Sequence, residues 1–387
     1  MYSTEWLAKL ISFDTTSRNS NLKLINAIQN DLAQYPSIST RLTYDPSGQK
    51  ANLFVTIPAM NGNSTKGGLV LSGHTDVVPV DGQEWATDPF HAMVTSDRIY
   101  GRGACDMKGF IAVVLSLVPE FMQQKLKKPL HFAFSYDEEV GGHGAQVLVS
   151  DLIENHIQPA ACIVGEPTDM HSVIAHKGIA TFRCVFKGRA THSSLTPQGC
   201  NAIEYASQLI SWIRELANQF KQHGPHDEQY DVSFSTITTN QIHGGIALNI
   251  IPDTCEFSFE LRNLPEVNPE HVFLKIQNYI HENLLPQMKT EYSDATIEVL
   301  PICALPGFTS NGHSGFMKLV HTLTENKATK KVSYATEAGI FQQAGIPTVI
   351  CGPGNIAQAH RANEFVLLEQ MMLCEKFLRA LALDFES

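Results

Sequence analysis

The chain has 387 residues, of which 43% are hydrophobic and 17% charged, as is typical of a folded globular protein and not of a disordered one. Its 28 basic and 39 acidic residues give a formal net charge of −11, which argues against nucleic acid or an anionic membrane as a partner. No stretch reaches the roughly 18 apolar residues of a membrane span, and the length is sufficient for two domains.

The N-terminus and the cysteines both indicate a cytoplasmic protein. Residues 1–11 form a short amphipathic segment with Glu5 and Lys9, unlike a signal peptide. The eight cysteines are scattered, without CxxC pairs or a compact framework, which is typical of thiols in a reducing compartment.

The first part of the chain predicts helices followed by strands. In chain order, these elements are helices Trp6–Phe13 and Leu22–Gln34 and strands Ser39–Tyr44, Asn52–Ile57 and Leu69–Ser72. The last of these strands is apolar and runs directly into Gly73-His-Thr-Asp76. A histidine and a carboxylate therefore follow the end of a buried strand.

A glycine-rich loop, Tyr100–Gly109, precedes an apolar helix that begins at about Phe110. Pro119 is expected to kink or end this helix, because proline lacks the N–H group and clashes with the preceding turn. The sequence then predicts a further strand, helix and strand, namely Phe132–Tyr136, Ala145–Glu154 and a buried strand from Ala160 that ends on Glu166.

Three consecutive carboxylates, Asp137, Glu138 and Glu139, follow the apolar strand Phe132–Tyr136 directly. Removing carboxylates from water costs several kcal/mol unless a cation or a donor compensates. In open α/β sheets, ligands bind in the crevice beyond the carboxyl ends of the strands. We therefore interpret Glu138 and Glu139 as one general base and one metal ligand. A solvated pair of loop acids is the alternative.

The pattern changes at about His176. Residues 177–299 predict the order β-α-β-β-α-β, which is that of a ferredoxin-like α+β domain. The predicted elements are strand Ile179–Gly188, helix Asn201–Gln222, strands Val232–Thr239 and Cys255–Arg262, helix Pro269–Leu285 and strand Ala295–Leu300. We interpret 177–299 as a domain inserted into an α/β domain that residues 1–176 and 300–387 form together.

Residues 300–387 return to the α/β pattern of the first part. They predict helix Ser314–Glu325, a turn at Ala335-Thr-Glu-Ala338, strand Pro347–Cys351, the loop Gly352-Pro-Gly-Asn355 that leads to His360, and helix Leu367–Leu383.

Five side chains that can bind metal follow separate strands or lie on the glycine loop, and they are His74, Asp106, Glu139, Glu166 and His360. Two histidines and three carboxylates suit zinc or a related divalent ion. Five ligands exceed the three protein ligands of a single catalytic zinc, so we expect two ions that share a bridging carboxylate. Asp76 is expected to accept the other imidazole N–H of His74 and so fix its tautomer.

These segments together resemble the zinc-dependent aminoacylase/carboxypeptidase G family of metallohydrolases over nearly the whole chain. The matching motifs are Gly73-His-Thr-Asp-Val-Val-Pro79, Gly101-Arg-Gly-Ala-Cys-Asp-Met-Lys-Gly109, Asp137-Glu-Glu-Val-Gly-Gly142, Gly165-Glu-Pro-Thr168 and Ala359-His360. The resemblance implies a mixed-sheet catalytic domain like that of zinc peptidases, with the inserted domain serving as a dimerisation or lid domain.

The resemblance also implies a role for each ligand. His74, Asp106 and Glu166 would hold one Zn²⁺, with Asp106 as the bridge to the other. The second Zn²⁺ would be held by Asp106, Glu139 and His360, and Co²⁺ or Mn²⁺ are considered as substitutes for either ion. Glu138 would be the general base, and the peptide bond after Asp106 would be cis.

Further roles rest on the same resemblance. His192 would donate to the oxyanion, from the other subunit of a homodimer or from its own. Arg262 would pair with the substrate α-carboxylate, Asn249 would bind the same end, and Glu337 would receive a side-chain ammonium. The simpler interpretations are a surface arginine, a turn-forming asparagine and, for both Glu337 and Glu166, a helix cap.

The function implied is hydrolysis of an N-acyl amino acid. A desuccinylase, an aminoacylase and a dipeptidase are alternatives within the same class. A non-catalytic module that binds amino acids or metal is the alternative of another class. Such a module would lack a ligand or the base, and the sequence retains all of them.

Overall fold

The computed structural model describes residues 1–310, 314–324 and 328–385. The helices in chain order are α1 (Ser3–Ile11), α2 (Leu22–Leu32), α3 (Lys108–Gln123), α4 (His143–Glu154), α5 (Ala202–His223), α6 (Pro269–Tyr279), α7 (Leu285–Glu291), α8 (Gly315–Leu323), α9 (Ala338–Gln343) and α10 (Leu368–Asp384). Among the described residues, no helix is both long enough and apolar enough to span a bilayer. The helix predicted at Ser314–Glu325 ends on a residue outside the described ranges.

The strands in chain order are β1 (Ser39–Tyr44), β2 (Ala51–Ile57), β3 (Leu69–His74), β4 (Met93–Val94), β5 (Arg98–Tyr100), β6 (Leu130–Ser135), β7 (Ala161–Val164), β8 (Ser172–His176), β9 (Gly178–Lys187), β10 (Thr191–His192), β11 (Thr236–Gly244), β12 (Ile250–Ile251), β13 (Thr254–Asn263), β14 (Thr296–Leu305), β15 (Phe308–Thr309), β16 (Thr329–Val332), β17 (Thr348–Ile350) and β18 (Phe365–Leu367). Most predicted strands are present, with ends shifted by a few residues.

The described chain forms two compact units. One comprises Met1–Ala175, Phe308–Lys331 and Thr336–Ser387, and the other comprises His176–Gly307 and Val332–Ala335. The second unit continues past the predicted boundary at residue 299 because β14 runs on to Leu305, paired with β9 through an irregularity between Pro301 and Cys303.

The first unit is built on a mixed sheet with the order β1-β2-β6-β3-β7-β17-β8-β15. Strand β3 is parallel to both β6 and β7, and β17 is parallel to β7, whereas β1, β2 and β6 pair in antiparallel fashion. Strands β2, β3, β6 and β7 are buried along their whole length, as expected for apolar strands covered on both faces. The prediction of an α/β fold with a mixed sheet is confirmed.

Helix α3 is apolar on almost all sides and contacts α1 and α10. Of the two expectations for Pro119, the helix end is wrong, since the helix runs on to Gln123, and the kink stays a prediction. Pro119 lies on the exposed side, while Leu117, Val118 and Phe121 are buried in the core. Their packing holds the helix together across the hydrogen bond that proline cannot donate.

The second unit has an antiparallel sheet with the order β11-β13-β9-β14. Together with α5 and α6 this is the predicted β-α-β-β-α-β order. Helix α5 begins after Asn201, whose side chain accepts the N–H groups of residues 203 and 204, and it packs on β11, β13 and β9.

Two predicted elements of this unit differ from the structure. The second strand lies at Thr236–Gly244 instead of Val232–Thr239. The helix predicted at Pro269–Leu285 is α-helical only to Tyr279, and a π-helical segment, Ile280–Leu284, separates it from α7. Pro286 in the first turn of α7 cannot donate to the preceding turn, which accounts for a change of helix type there.

Candidate active site

The parallel strands of the first unit bring the predicted ligands to one edge of the sheet. His74 is the last residue of β3, Glu138 and Glu139 follow β6, and Glu166 follows β7. Because β3 runs parallel to β6 and β7, the three strands end on the same side. The side chains of these four residues are buried there. The carboxyl ends of the strands thus assemble one buried cluster, as in other open α/β sheets.

His74 has both ring nitrogens engaged in this cluster. Its Nδ1 lies 2.9 Å from the main-chain oxygen of Asp76, which fixes Nδ1 as the donor. Its Nε2 lies 3.0 Å from Oδ1 of Asp106 and 3.8 Å from Oε1 of Glu166. Because Nδ1 donates to the main chain, Nε2 is the nitrogen that faces the two carboxylates: it donates to Asp106 when it carries a proton and can bind a cation in place of that proton.

Asp76 accepts the Nδ1–H of His74 through its main-chain carbonyl and not through its carboxylate. Its carboxylate Oδ1 lies 3.6 Å from Nδ1 of His74, so the main-chain carbonyl is the closer acceptor. The carboxylate instead accepts the Ser17 hydroxyl at 2.7 Å and the main-chain N–H groups of Glu138 at 3.1 Å and Glu139 at 3.3 Å. Asp76 thus holds the segment that carries both glutamates.

Asp106 lies between the two histidines. Its Oδ1 faces His74, and its Oδ2 lies 3.2 Å from Nε2 of His360. The same His360 nitrogen lies 3.1 Å from Oε2 of Glu139. The peptide bond from Asp106 to Met107 is cis, as the resemblance implied. Asp106 is therefore placed to contribute one oxygen to each of two neighbouring ions.

The donor atoms fit divalent metal. Ligand atoms of His74, Asp106 and Glu139 lie within 4.8 Å of one another, and so do those of His74, Glu138 and Glu166. In addition, Oε1 of Glu139 is buried without a hydrogen-bond partner among the residues that the structure describes. A cation would stabilise such a buried, ionised carboxylate oxygen. Nitrogen and oxygen donors without cysteine suit zinc, cobalt or manganese.

Burial and neighbouring charge shift the pKa of each acid in the cluster. Burial raises the pKa of Glu138 and of Glu166 well above the usual value, against the attraction of His74. Burial also opposes ionisation of Asp106, but hydrogen bonds from His360 and His74 hold its pKa below the usual value. Hydrogen bonds to Asp106 and Glu139 raise the pKa of His360 to about 10. The cluster as a whole favours added positive charge.

Glu337 lies in the same unit, beneath the strand ends. Its side chain is 1% exposed and accepts hydrogen bonds from the hydroxyl groups of Ser135 and Ser72, the latter at 3.2 Å. It occupies the N-cap position of α9 but makes no capping hydrogen bond, so the interpretation of Glu337 as a helix cap is wrong. Its role towards a substrate ammonium stays a prediction.

The surroundings of Glu138 and Glu166 exclude the simpler interpretations of these two acids. Glu138 is buried, which excludes a solvated pair of loop acids. The regular element that follows Glu166 is strand β8, so Glu166 caps no helix.

The three remaining predicted residues belong to the second unit. Nδ1 of the exposed His192 lies 2.8 Å from the Ser194 hydroxyl. Asn249 occupies the turn before β12. The guanidinium of Arg262 already pairs with the carboxylate of Glu260, with Nε 2.7 Å from Oε1. A substrate carboxylate would have to compete with Glu260 for Arg262. Their roles stay predictions.

Sequence reasoning missed residues that support the cluster from distant parts of the chain. The ammonium of Lys50 lies 2.6 Å and 2.7 Å from the two carboxylate oxygens of Asp137, directly before Glu138. Ser17, which donates to Asp76, is equally remote in sequence. Neither residue stands in a motif, so no local pattern indicated it.

The sequence and the fold both have relatives among known proteins. Residues 70–384 match the peptidase family M20/M25/M40. The chain is 32% identical over 363 residues to acetylornithine deacetylase of Buchnera aphidicola subsp. Acyrthosiphon pisum (strain Tuc7). This match covers 92% of this chain and 91% of that protein. It is 31% identical over 360 residues to acetylornithine deacetylase of Pasteurella multocida (strain Pm70), covering 92% of this chain and 90% of the relative.

Solved structures share the fold at low sequence identity. An M20 family metallo-carboxypeptidase from Sulfolobus solfataricus superimposes with a TM-score of 0.79 at 17% identity and covers 99% of both chains. A dinuclear metal binding peptidase of the M20 family from Bacillus subtilis gives a TM-score of 0.66 at 15% identity, covering 98% of this chain and 97% of the other.

Proposed function

Because this chain belongs to the peptidase family M20/M25/M40, we propose that it is a two-metal amidohydrolase that releases acetate from N2-acetyl-L-ornithine. The observation that carries the proposal is the convergence of two histidines and three carboxylates at the strand ends, with the buried Glu138 among them. The ornithine produced would serve arginine biosynthesis. Cytoplasmic location stays a prediction from the cysteine pattern.

The two ligand sets are those that the family resemblance implies, and the short distances among the donor atoms support them. His74, Asp106 and Glu166 would hold one ion, and Asp106, Glu139 and His360 would hold the other. The proposed ion is Zn²⁺ at both positions, with Co²⁺ or Mn²⁺ as substitutes. When bound, the ions polarise the amide carbonyl and lower the pKa of the attacking water.

Glu138 is the proposed general base. Its carboxylate takes the proton of the attacking water and returns it to the leaving amine nitrogen, for which a raised pKa is an advantage because the group must both accept and donate. Asp76 holds the Glu138 main chain, which orients this carboxylate. Burial of His74, Asp106, Glu138 and Glu166 strengthens the electrostatic interactions among them.

The substrate proposal rests on the relatives and on one stretch of sequence. Tyr334-Ala-Thr-Glu-Ala338 with Gly352-Pro-Gly-Asn355 resembles acetylornithine deacetylases, whereas desuccinylases of succinyl-diaminopimelate carry a Ser-Asp-Gly type sequence in place of residues 336–338. In this proposal Glu337 gives up its hydrogen bonds from Ser72 and Ser135 and pairs with the side-chain ammonium of ornithine instead.

The resemblance supplies the remaining roles. It implies a homodimer formed through the inserted domain, in which His192 of the partner subunit donates a hydrogen bond to the oxyanion. It also implies that Arg262 pairs with the substrate α-carboxylate and that Asn249 binds the same end of the substrate.

The test is release of acetate from N-acetylornithine by purified protein, before chelation, after chelation and after zinc is restored. Activity that is lost and regained supports the reaction and the metal requirement together. Succinyl-diaminopimelate at equal concentration is the control substrate. Faster hydrolysis of that control would replace the deacetylase proposal with a desuccinylase, and bound metal without any acetate release would exclude acetylornithine.

A further inference from the structure

The carboxylate of Glu364, which has no part in the proposed reaction, lies buried behind the cluster of proposed metal ligands. Its side chain and that of Arg102 are each 1% exposed, and Nη1 of Arg102 lies 2.7 Å from Oε2 of Glu364. Glu364 follows His360 by four residues, and Arg102 precedes Asp106 by four. The pair therefore joins the two loops that carry these ligands.

Glu364 accepts four hydrogen bonds from the Asp106 loop. Its Oε1 accepts the main-chain N–H of Cys105 at 2.8 Å and of Asp106 at 3.0 Å. Its Oε2 accepts the main-chain N–H of Gly103 at 3.0 Å together with the Arg102 guanidinium. One of these bonds comes from the main-chain N–H of Asp106. The position of Glu364 therefore fixes the main chain from which the Asp106 side chain extends.

The same network holds the main chain at His360. Nε2 of Gln83 donates to the carbonyl of His360 at 2.9 Å, and Nη2 of Arg102 donates to Oε1 of Gln83 at 2.6 Å. The side chain of His360 is 54% exposed, unlike those of Asp106 and Glu139, so packing restrains it least. Polar contacts to its backbone therefore substitute for packing.

Only an ionised carboxylate satisfies this arrangement. All four partners are donors, and both oxygens accept. A glutamine would direct its own NH₂ group at two of these donors and leave the buried Arg102 charge without a counterion. Both changes are costly inside a protein.

We infer that Glu364, paired with Arg102, is a positioning residue that fixes Asp106 relative to His360 and thereby sets the affinity of the metal site they form with Glu139. This inference rests on the proposed metal centre and not on the identity of the substrate. Supporting residues of this kind typically change metal affinity by about 10–100-fold.

The experiment measures metal affinity without substrate. Metal-free wild type, Glu364→Gln and Gln83→Ala are titrated with Zn²⁺ against a chromophoric chelator, and the Co²⁺ forms are compared by absorption spectrum. We expect Glu364→Gln to bind one of its two ions about 10–100-fold more weakly and Gln83→Ala to shift in the same direction by less. Glu120→Gln is the matched control, since it removes a carboxylate that pairs with Arg379 on the surface of the same unit.

The outcomes separate positioning from stability and from the proposed function. A lower melting temperature of metal-free Glu364→Gln with wild-type affinity for both ions would overturn the inference. If Glu364→Gln does not fold, unchanged affinity in the half-buried Gln83→Ala would overturn it instead. Wild type that binds two ions but releases no acetate refutes the substrate and leaves this inference intact, whereas wild type that binds no metal refutes both.

Discussion

The carboxylate of Asp76 accepts the main-chain N–H of Glu138 at 3.1 Å, although 62 residues separate the two in sequence. Asp76 stands two residues beyond the proposed ligand His74, and Glu138 is the proposed base. One side chain thus couples the end of β3 to the end of β6. The relative position of the proposed base and the proposed metal ligand therefore depends on Asp76, which has neither of these roles.

Replacing Asp76 by Asn tests this coupling. The amide keeps one acceptor but points its NH₂ either at the N–H of Glu138 or at the Ser17 hydroxyl and the N–H of Glu139. We expect kcat to fall about 10–100-fold, a magnitude typical of groups that orient metal ligands. Ser17→Ala is the control, because it removes one donor and leaves both N–H bonds in place. Equal activity of Asp76→Asn and wild type would refute the role.

Glu337→Gln tests substrate choice. The variant removes the charge proposed to receive an ammonium, so we expect turnover of N-acetylornithine to fall relative to that of an N-acetyl amino acid with an uncharged side chain. The measurement is the ratio of kcat/KM for the two substrates. Ser135→Ala serves as a control, since it removes a partner of Glu337 but keeps the charge. An unchanged ratio in Glu337→Gln would contradict the specificity proposal.

The positions that sequence predicted and those that it missed differ in one physical respect. His74, Glu138, Glu139 and Glu166 were predictable because the carboxyl ends of parallel strands meet at one edge. Their supports were not, because hydrogen bonds such as that from Ser72 to Glu337, 265 residues apart, depend on the finished packing.

The continuation of α3 past Pro119 has a similar origin. Local propensity predicts a break, but burial of the apolar face of α3 outweighs the one missing hydrogen bond. The π-helical segment before Pro286 is a case in which the local constraint does change the helix. Whether a proline breaks a helix thus depends on the packing around it, which the sequence alone does not show.

Mixing two inactive variants tests whether His192 acts between subunits. Glu138→Ala lacks the base and His192→Ala lacks the proposed donor, so each homodimer is expected to be inactive. If the donor comes from the partner subunit, a mixed dimer places both defects in one site and leaves the other site intact. We expect up to about a quarter of wild-type activity after random mixing of equal amounts. Verified mixed dimers without activity would refute action across the subunits, because a donor within its own subunit leaves both sites of the mixed dimer defective.

His131 gives a prediction for stability against pH that does not involve the metal cluster. It is buried on β6, stacked on Phe54 with ring centroids 5.1 Å apart, and its Nδ1 lies 2.9 Å from the Thr56 hydroxyl. Burial lowers its pKa from 6.5 to about 4. The folded state therefore disfavours protonation of this ring, whereas the unfolded chain does not.

The direction in which stability changes with pH follows from that difference in protonation. Stability from neutral His131 is fully present above pH 6.5 and is lost as the pH falls to about 4, where the folded protein also takes up the proton. The shift corresponds to about 3 kcal/mol of unfolding free energy. His131→Phe keeps an aromatic ring beside Phe54 but cannot titrate, so the stability of wild type relative to this variant should decrease by that amount between pH 7 and pH 4. Denaturant unfolding of the metal-free proteins measures it, with the exposed His91→Phe as control. A difference that stays constant with pH would show that His131 does not contribute to acid sensitivity.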